Sequence, residues 1–111
     1  MPTQYAEPAL QLDEVLELIL SKEVENTDKI HMFYSDSAHC WATFQQSALN
    51  LIEIVPKLAC NAIDEHFAGR EIKLTCVRVN SDHVKRYNLL IYCVQVSDSY
   101  IELQKKPVGN K

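Results

Sequence analysis

The chain has 111 residues, 47% hydrophobic and 23% charged, with a formal net charge of −4. That length holds one domain with a real core and is too short for two, and the composition excludes a disordered chain. With 2 glycines and 4 prolines, collagen-like repeats and low-complexity linkers are excluded, and no apolar run reaches the ~20 residues that span a bilayer.

Residues 1–7 lack the basic and apolar regions of a secretory signal, and no prenylation-type cysteine sits at the C-terminus. The expected setting is therefore the cytoplasm or nucleus, with Cys40, Cys60, Cys76 and Cys93 as reduced thiols rather than a disulfide framework. Charge is uneven. Residues 1–36 carry eight acids against two bases, a net of −6, and residues 70–111 carry eight bases against four acids, a net of +4. Such polarity can steer a charged partner.

In chain order, Pro8 to Lys22 reads as a helix, because Leu12, Val15, Leu16, Ile19 and Leu20 recur on one face. Lys29 to Tyr34 reads as a strand, Ser35-Asp36-Ser37 as a turn, and residues 39–42 as a short second strand. Thr43-Phe44-Gln45-Gln46 has the form of a capping box, with Thr43 at the N-cap. It opens an apolar helix, 44–67, that Pro56 kinks or divides and Gly69 ends. Glu71 to Val79 alternates as a strand, and Asn80-Ser81-Asp82 marks a turn. Arg86 to Val96 reads as a central strand, with Leu89 to Val94 apolar on both faces, and Tyr100 to Leu103 closes the sheet. The expected fold is a single α+β domain over 1–111 in the order α-ββ-α-βββ. It has an antiparallel five-stranded sheet, two helices available to cover one face, and frayed tails at 1–7 and 105–111.

This order resembles the roadblock-type (roadblock/longin-like) domain. The resemblance rests on the helix Leu12–Leu20, the strand Ile30–Tyr34 with its Ser35-Asp36-Ser37 turn, the helix Phe44–Phe67 and the meander 71–104. It implies a non-enzymatic scaffold that pairs through the second helix and the following strand, in assemblies around small GTPases, motors and membrane traffic. On this chain the pairing surface would be the outer face of 44–67 and the edge of 71–79.

For chemistry, His31, His39, Cys40, Cys60, His66, Cys76, His83 and Cys93 lack the paired short spacings of a zinc site, so no metal is expected. Cys40, beside His39 and just before a helix, is the candidate nucleophile. A cysteine packed against Trp41 is the more ordinary reading. Asp13/Glu17 and Asp64/Glu65 read as solvated faces, and glycine only at 69 and 109 excludes a phosphate-cradling loop. A basic hairpin, His83, Lys85, Arg86 and Tyr87, with Tyr92, Lys105, Lys106 and Lys111, offers an alternative RNA-binding reading, opposed by a pI near 5.5.

The leading expectation is a non-catalytic interaction module, without cofactor or membrane insertion, that forms a homo- or heterodimer. Leu49, Ile54 and Leu58 lie off the main helix face, and Lys73, Thr75, Val77 and Val79 form the outer face of an edge strand; these seven are the expected contact residues.

Overall fold

A computed structural model describes residues 15–106. The elements are α1 (Leu16–Val24), β1 (Lys29–Ser35), β2 (Cys40–Phe44), α2 (Gln45–Ile54), β3 (Asn61–Phe67), β4 (Arg70–Val79), α3 (Ser81–Arg86), a 3₁₀ turn (Leu89–Tyr92), β5 (Cys93–Val96) and β6 (Tyr100–Gln104). The fold is α+β. Its sheet has six antiparallel strands in the order β3-β4-β2-β1-β6-β5, one more than expected. Residues 8–14 of the first predicted helix, and 1–7 and 107–111 of the predicted tails, lie outside the described residues.

Strand alternation divides the core into two layers. Ile30 and Met32 of β1, Val77 and Val79 of β4, and Ile101 and Leu103 of β6 pack under Ala48, Leu51 and Val55 of α2, with Leu58 and Leu89. Phe33, Ala42, Phe44, Leu74 and Cys76 point the other way, onto Leu16 and Ile19 of α1. The two helices therefore cover opposite faces rather than sharing one. The run Ile30 to Phe33 carries this signal, being buried at all four positions as a strand covered on both sides must be. Each such Leu, Ile or Phe side chain contributes about 1.5–3 kcal/mol by leaving water.

The predicted helix 44–67 ends early. Pro56 pushes the residue before it out of the α region, and Val55 adopts φ −129°, ψ 81° as the C-cap of α2. Pro56 thus terminates the helix, and residues 61–67 form β3. Gly69 is a hairpin residue, not a helix cap. Ala68 and Gly69 have φ of 54° and 77° between the paired Phe67 and Arg70, and two consecutive positive φ values suit the right-handed twist of a two-residue hairpin. The predicted strand 86–96 is likewise broken. Asn80 opens α3 in a capping box with His83, Asn88 takes a left-handed φ of 53°, and only Cys93–Val96 is extended.

Thr43 does not cap α2. It lies in β2 and donates through Oγ1 to Val77 O at 3.5 Å, while Phe44 holds the N-cap position without a side-chain bond. The capping carboxylate comes from Glu23 at the end of α1, which accepts the Ser47 N–H at 2.9 Å.

Candidate protein interface

A sheet of this order has two margins, and side-chain chemistry distinguishes them. At one end, β3 and β4 pair from Asn61↔Cys76 to Phe67↔Arg70, whereas the β2–β4 ladder runs only from Trp41↔Val79 to Phe44↔Cys76. The hairpin therefore extends beyond the end of β2. Gln45 Oε1 covers its first step by accepting the Thr75 N–H at 2.7 Å. The outer strand β3 carries Asp64 and Glu65, and Asp64 pairs across to Lys73 at 2.8 Å. Charges on an edge strand discourage pairing with another chain.

At the other end lies β5. It pairs with β6, and no other strand among the described residues pairs with its outer side. From Leu89 to Val96 the chain reads Leu-Leu-Ile-Tyr-Cys-Val-Gln-Val, eight residues without a charge. Leu89 is buried in the α2 layer and anchors the 3₁₀ turn, with Tyr92 and Cys93 packed beside it. That anchoring leaves Leu90, Ile91, Val94 and Val96 outside, 52%, 42%, 47% and 61% exposed. A register shift between Cys93 and Gln95 makes Val94 an extra residue opposite β6. The most apolar stretch, expected to be a buried central strand, is thus a surface edge.

Of the expected contact residues, Leu49 is exposed on α2, but Ile54 is half-buried against the core and Leu58 is within it. Lys73 is exposed in its pair with Asp64, and Thr75 is half-buried. Val77 and Val79 have no exposed surface, because β4 is flanked by β2 and β3 and turns these valines toward α2. They are core residues, and residues 76–79 of that strand, flanked on both sides, are not a sheet margin. The exposed apolar residues at this end are Leu90, Ile91, Val94 and Val96, which the sequence presents as an uncharged run ending in turn-forming Ser97-Asp98-Ser99.

The residues of the RNA reading are dispersed. His83, Lys85 and Arg86 lie on α3 rather than in a hairpin, and Arg86 pairs with Asp82. Tyr92 packs against the core, Lys105 pairs with Glu53 at 2.7 Å, and Lys111 lies outside the described residues. Cys40 is buried, Cys60 is exposed in the loop before β3, and all four cysteines are free thiols. No three of His, Cys, Asp and Glu converge on a common point among the described residues, and no helix there is long and apolar enough to cross a membrane.

The perturbed titrating groups sit on the α1 face. His31 Nδ1 lies 2.7 Å from the Tyr100 hydroxyl, which donates to Glu102 at 3.1 Å. Burial lowers the His31 pKa from its ordinary 6.5, only partly opposed by Glu23 and Glu102. Burial and the adjacent Glu102 carboxylate raise that of Tyr100. None of the protein-family models, curated proteins or solved structures compared with the chain matches it.

Proposed function

We propose that this chain is a non-catalytic interaction module that pairs with a second copy of itself through the outer edge of β5. The observation that carries the reading is the uncharged edge strand flanked by exposed Leu90, Ile91, Val94 and Val96. Free backbone N–H and C=O groups on such an edge accept a further strand, and apolar side chains beside them lose water when it arrives.

A second copy is the favoured occupant because an antiparallel, two-fold pairing sets a strand against its own image. Any charge near the centre of that strand would meet itself. β3 fails this condition, since Asp64, its middle residue, would face Asp64. β5 meets it, with valines and a glutamine in the contact. The product would be one continuous sheet across two subunits, the mode of association that the roadblock resemblance also implies, though at the opposite margin. A scaffold role in a cytoplasmic assembly follows from that resemblance, and four free thiols suit a reducing compartment.

Sedimentation equilibrium of the wild-type chain and of Val94→Lys and Val96→Lys tests it. The expected result is a dimer that becomes monomeric in both variants at unchanged thermal midpoint. A wild-type monomer at the highest attainable concentration, or a dimer indifferent to both lysines, overturns the reading.

A further inference from the structure

A concavity of about 590 Å³, within the range of small-ligand sites, runs along one flank of α1. One bank is the stripe Val15, Leu18 and Lys22, which share a side of the helix over about 10 Å. The floor is Phe33, Ala42 and the ring of Tyr100, with the Phe33 and Tyr100 centroids 5.3 Å apart. Gln95 of β5 and Ser99 before β6 form the other bank. Among the described residues lining this groove, Lys22 is the one cation and Asp36 the one anion. Lys22 stands over Tyr100, which pairs with Phe33, whereas Asp36 follows the last residue of β1, so the two charges mark opposite ends.

Lys22 is the charge that this region leaves over. Four charged groups act on His31: Glu23, Glu102, Lys22 and Lys29. Glu23 is committed to Ser47 and Asn26, and Lys29 pairs with Glu102 at 3.9 Å. Half-buried Lys22 makes no ion pair or hydrogen bond with any described residue, and its Nζ rests 5.2 Å from the Tyr100 ring centroid. The Tyr100 hydroxyl is taken by His31 and Glu102, so Tyr100 offers the groove its ring. An ammonium held on a ring face keeps N–H donors to spend, and a carboxylate both accepts them and balances the charge. Beside it Leu18 is 48% exposed, an apolar side chain that the core does not use. Asp36, exposed and without an ion pair or hydrogen bond among the described residues, repels a second carboxylate at the far end.

We infer that this groove binds an amphipathic monocarboxylate, its carboxylate on Lys22 Nζ and its apolar body over Leu18, Phe33 and the Tyr100 ring. A neutral amphiphile would leave the ammonium unpaired, and a dicarboxylate would carry its second charge toward Asp36.

The test is an isotope-edited NMR titration of the full chain at low salt with octanoate, octanol and octanedioate, each kept below its own self-association. Octanoate should shift residues 15–22 and 33–36, with octanol and octanedioate each weaker by roughly tenfold, the scale of one charge-assisted contact. Lys22→Met keeps the stem on Tyr100 and should weaken octanoate roughly tenfold while leaving octanol unchanged, and Lys22→Arg should restore octanoate binding. Leu18→Asp, at an exposed position, should abolish octanoate binding at unchanged thermal midpoint. Absence of shifts with octanoate overturns the inference, as does octanol binding equally well or octanoate binding that Lys22→Met leaves intact. Shifts confined to 90–96 overturn it too, since octanoate would then be an adventitious additive only, on the apolar margin. So do shifts at Leu18 and Lys22 on raising the protein concentration alone, because a second copy would then cover the groove.

Discussion

Glu23 holds Ser47. The carboxylate at the end of α1 accepts both the backbone N–H and the hydroxyl of Ser47 in the first turn of α2, 24 residues later. Asn26 fastens the same point, donating to Glu23 Oε1 and Ser47 Oγ at 3.0 Å each while its Oδ1 accepts the Lys29 N–H. Negative charge at a helix N-terminus is favourable, and here it also locks the two helices to the start of β1.

Glu23→Ala should therefore destabilise the fold beyond the ~1 kcal/mol of an ordinary cap, by about 2–4 kcal/mol, because buried donors lose a charged acceptor. Glu23→Gln should fall between wild type and Ala. Urea unfolding of the three proteins measures the order, and equal midpoints for Ala and wild type would remove the long-range cap.

This contact also explains why the start of α2 was misread. The local pattern Thr43-Phe44-Gln45-Gln46 satisfies a capping box, but Thr43 is committed to β2 and the acceptor comes from another helix, which sequence spacing cannot reveal. Strand β6 was legible because buried and half-buried positions alternate along it, β4 because a similar alternation runs as far as Cys76, and β1 because Ile30 to Phe33 is buried on both faces. β3 was hidden by Ala59, Ala62 and Ile63, which continue a helical spacing past Pro56. The run 89–96 differs for another reason: its apolarity is equally compatible with burial and with an exposed margin, which is what an interface requires. That part of the candidate site was visible as composition and invisible as position.

The hairpin turn gives a stabilising prediction. Ala68 holds φ 54°, a conformation that costs an L-residue with a Cβ roughly 1 kcal/mol. Ala68→Asn creates the Asn-Gly pair favoured in this turn and should raise stability by about 0.5–1 kcal/mol. Gly69→Ala should do the reverse by a similar amount. No atom lies within 4 Å of an added Cβ there, so the cost is conformational, from φ +77°. Thermal midpoints shifting in opposite directions would bear out the turn geometry.

Acid and alkaline limits follow from His31 and Tyr100. The His31 pKa is lower in the folded state, so the unfolded chain binds the extra proton first. Stability from this group is complete above the ordinary 6.5 and declines as pH falls through 6.5 toward the folded value, then levels off. Tyr100 has the opposite sign: its raised folded pKa means stability is complete below the ordinary 10 and declines as pH climbs beyond it. His31→Gln should flatten the acid decline, and Tyr100→Phe the alkaline one, in urea midpoints measured across pH. An unchanged acid limb in His31→Gln would assign the loss to carboxylates instead.

The placement of β4 makes a last, sharper distinction between two residues two apart. Val77 sits opposite Thr43 in the middle of the sheet, fully buried, with its carbonyl accepting from the Thr43 hydroxyl. Thr75 lies one step past the Phe44↔Cys76 pair that ends the β2 ladder, and its N–H bonds only the side chain of Gln45. Proline removes the N–H at either position, but different structure depends on it. Thr75→Pro should lose one side-chain hydrogen bond, about 1 kcal/mol, and leave a folded domain. Val77→Pro removes a central ladder bond and disturbs the α2 layer, a loss of roughly 4–5 kcal/mol or more against a total of about 5–15 kcal/mol. Amide hydrogen exchange and circular dichroism should show the first variant folded, with faster exchange confined to the hairpin, and the second largely unfolded at ambient temperature. Because the proposed pairing uses β5, Thr75→Pro should also leave self-association intact. A folded but monomeric Thr75→Pro would move the interface to the β3–β4 margin and away from Val94 and Val96.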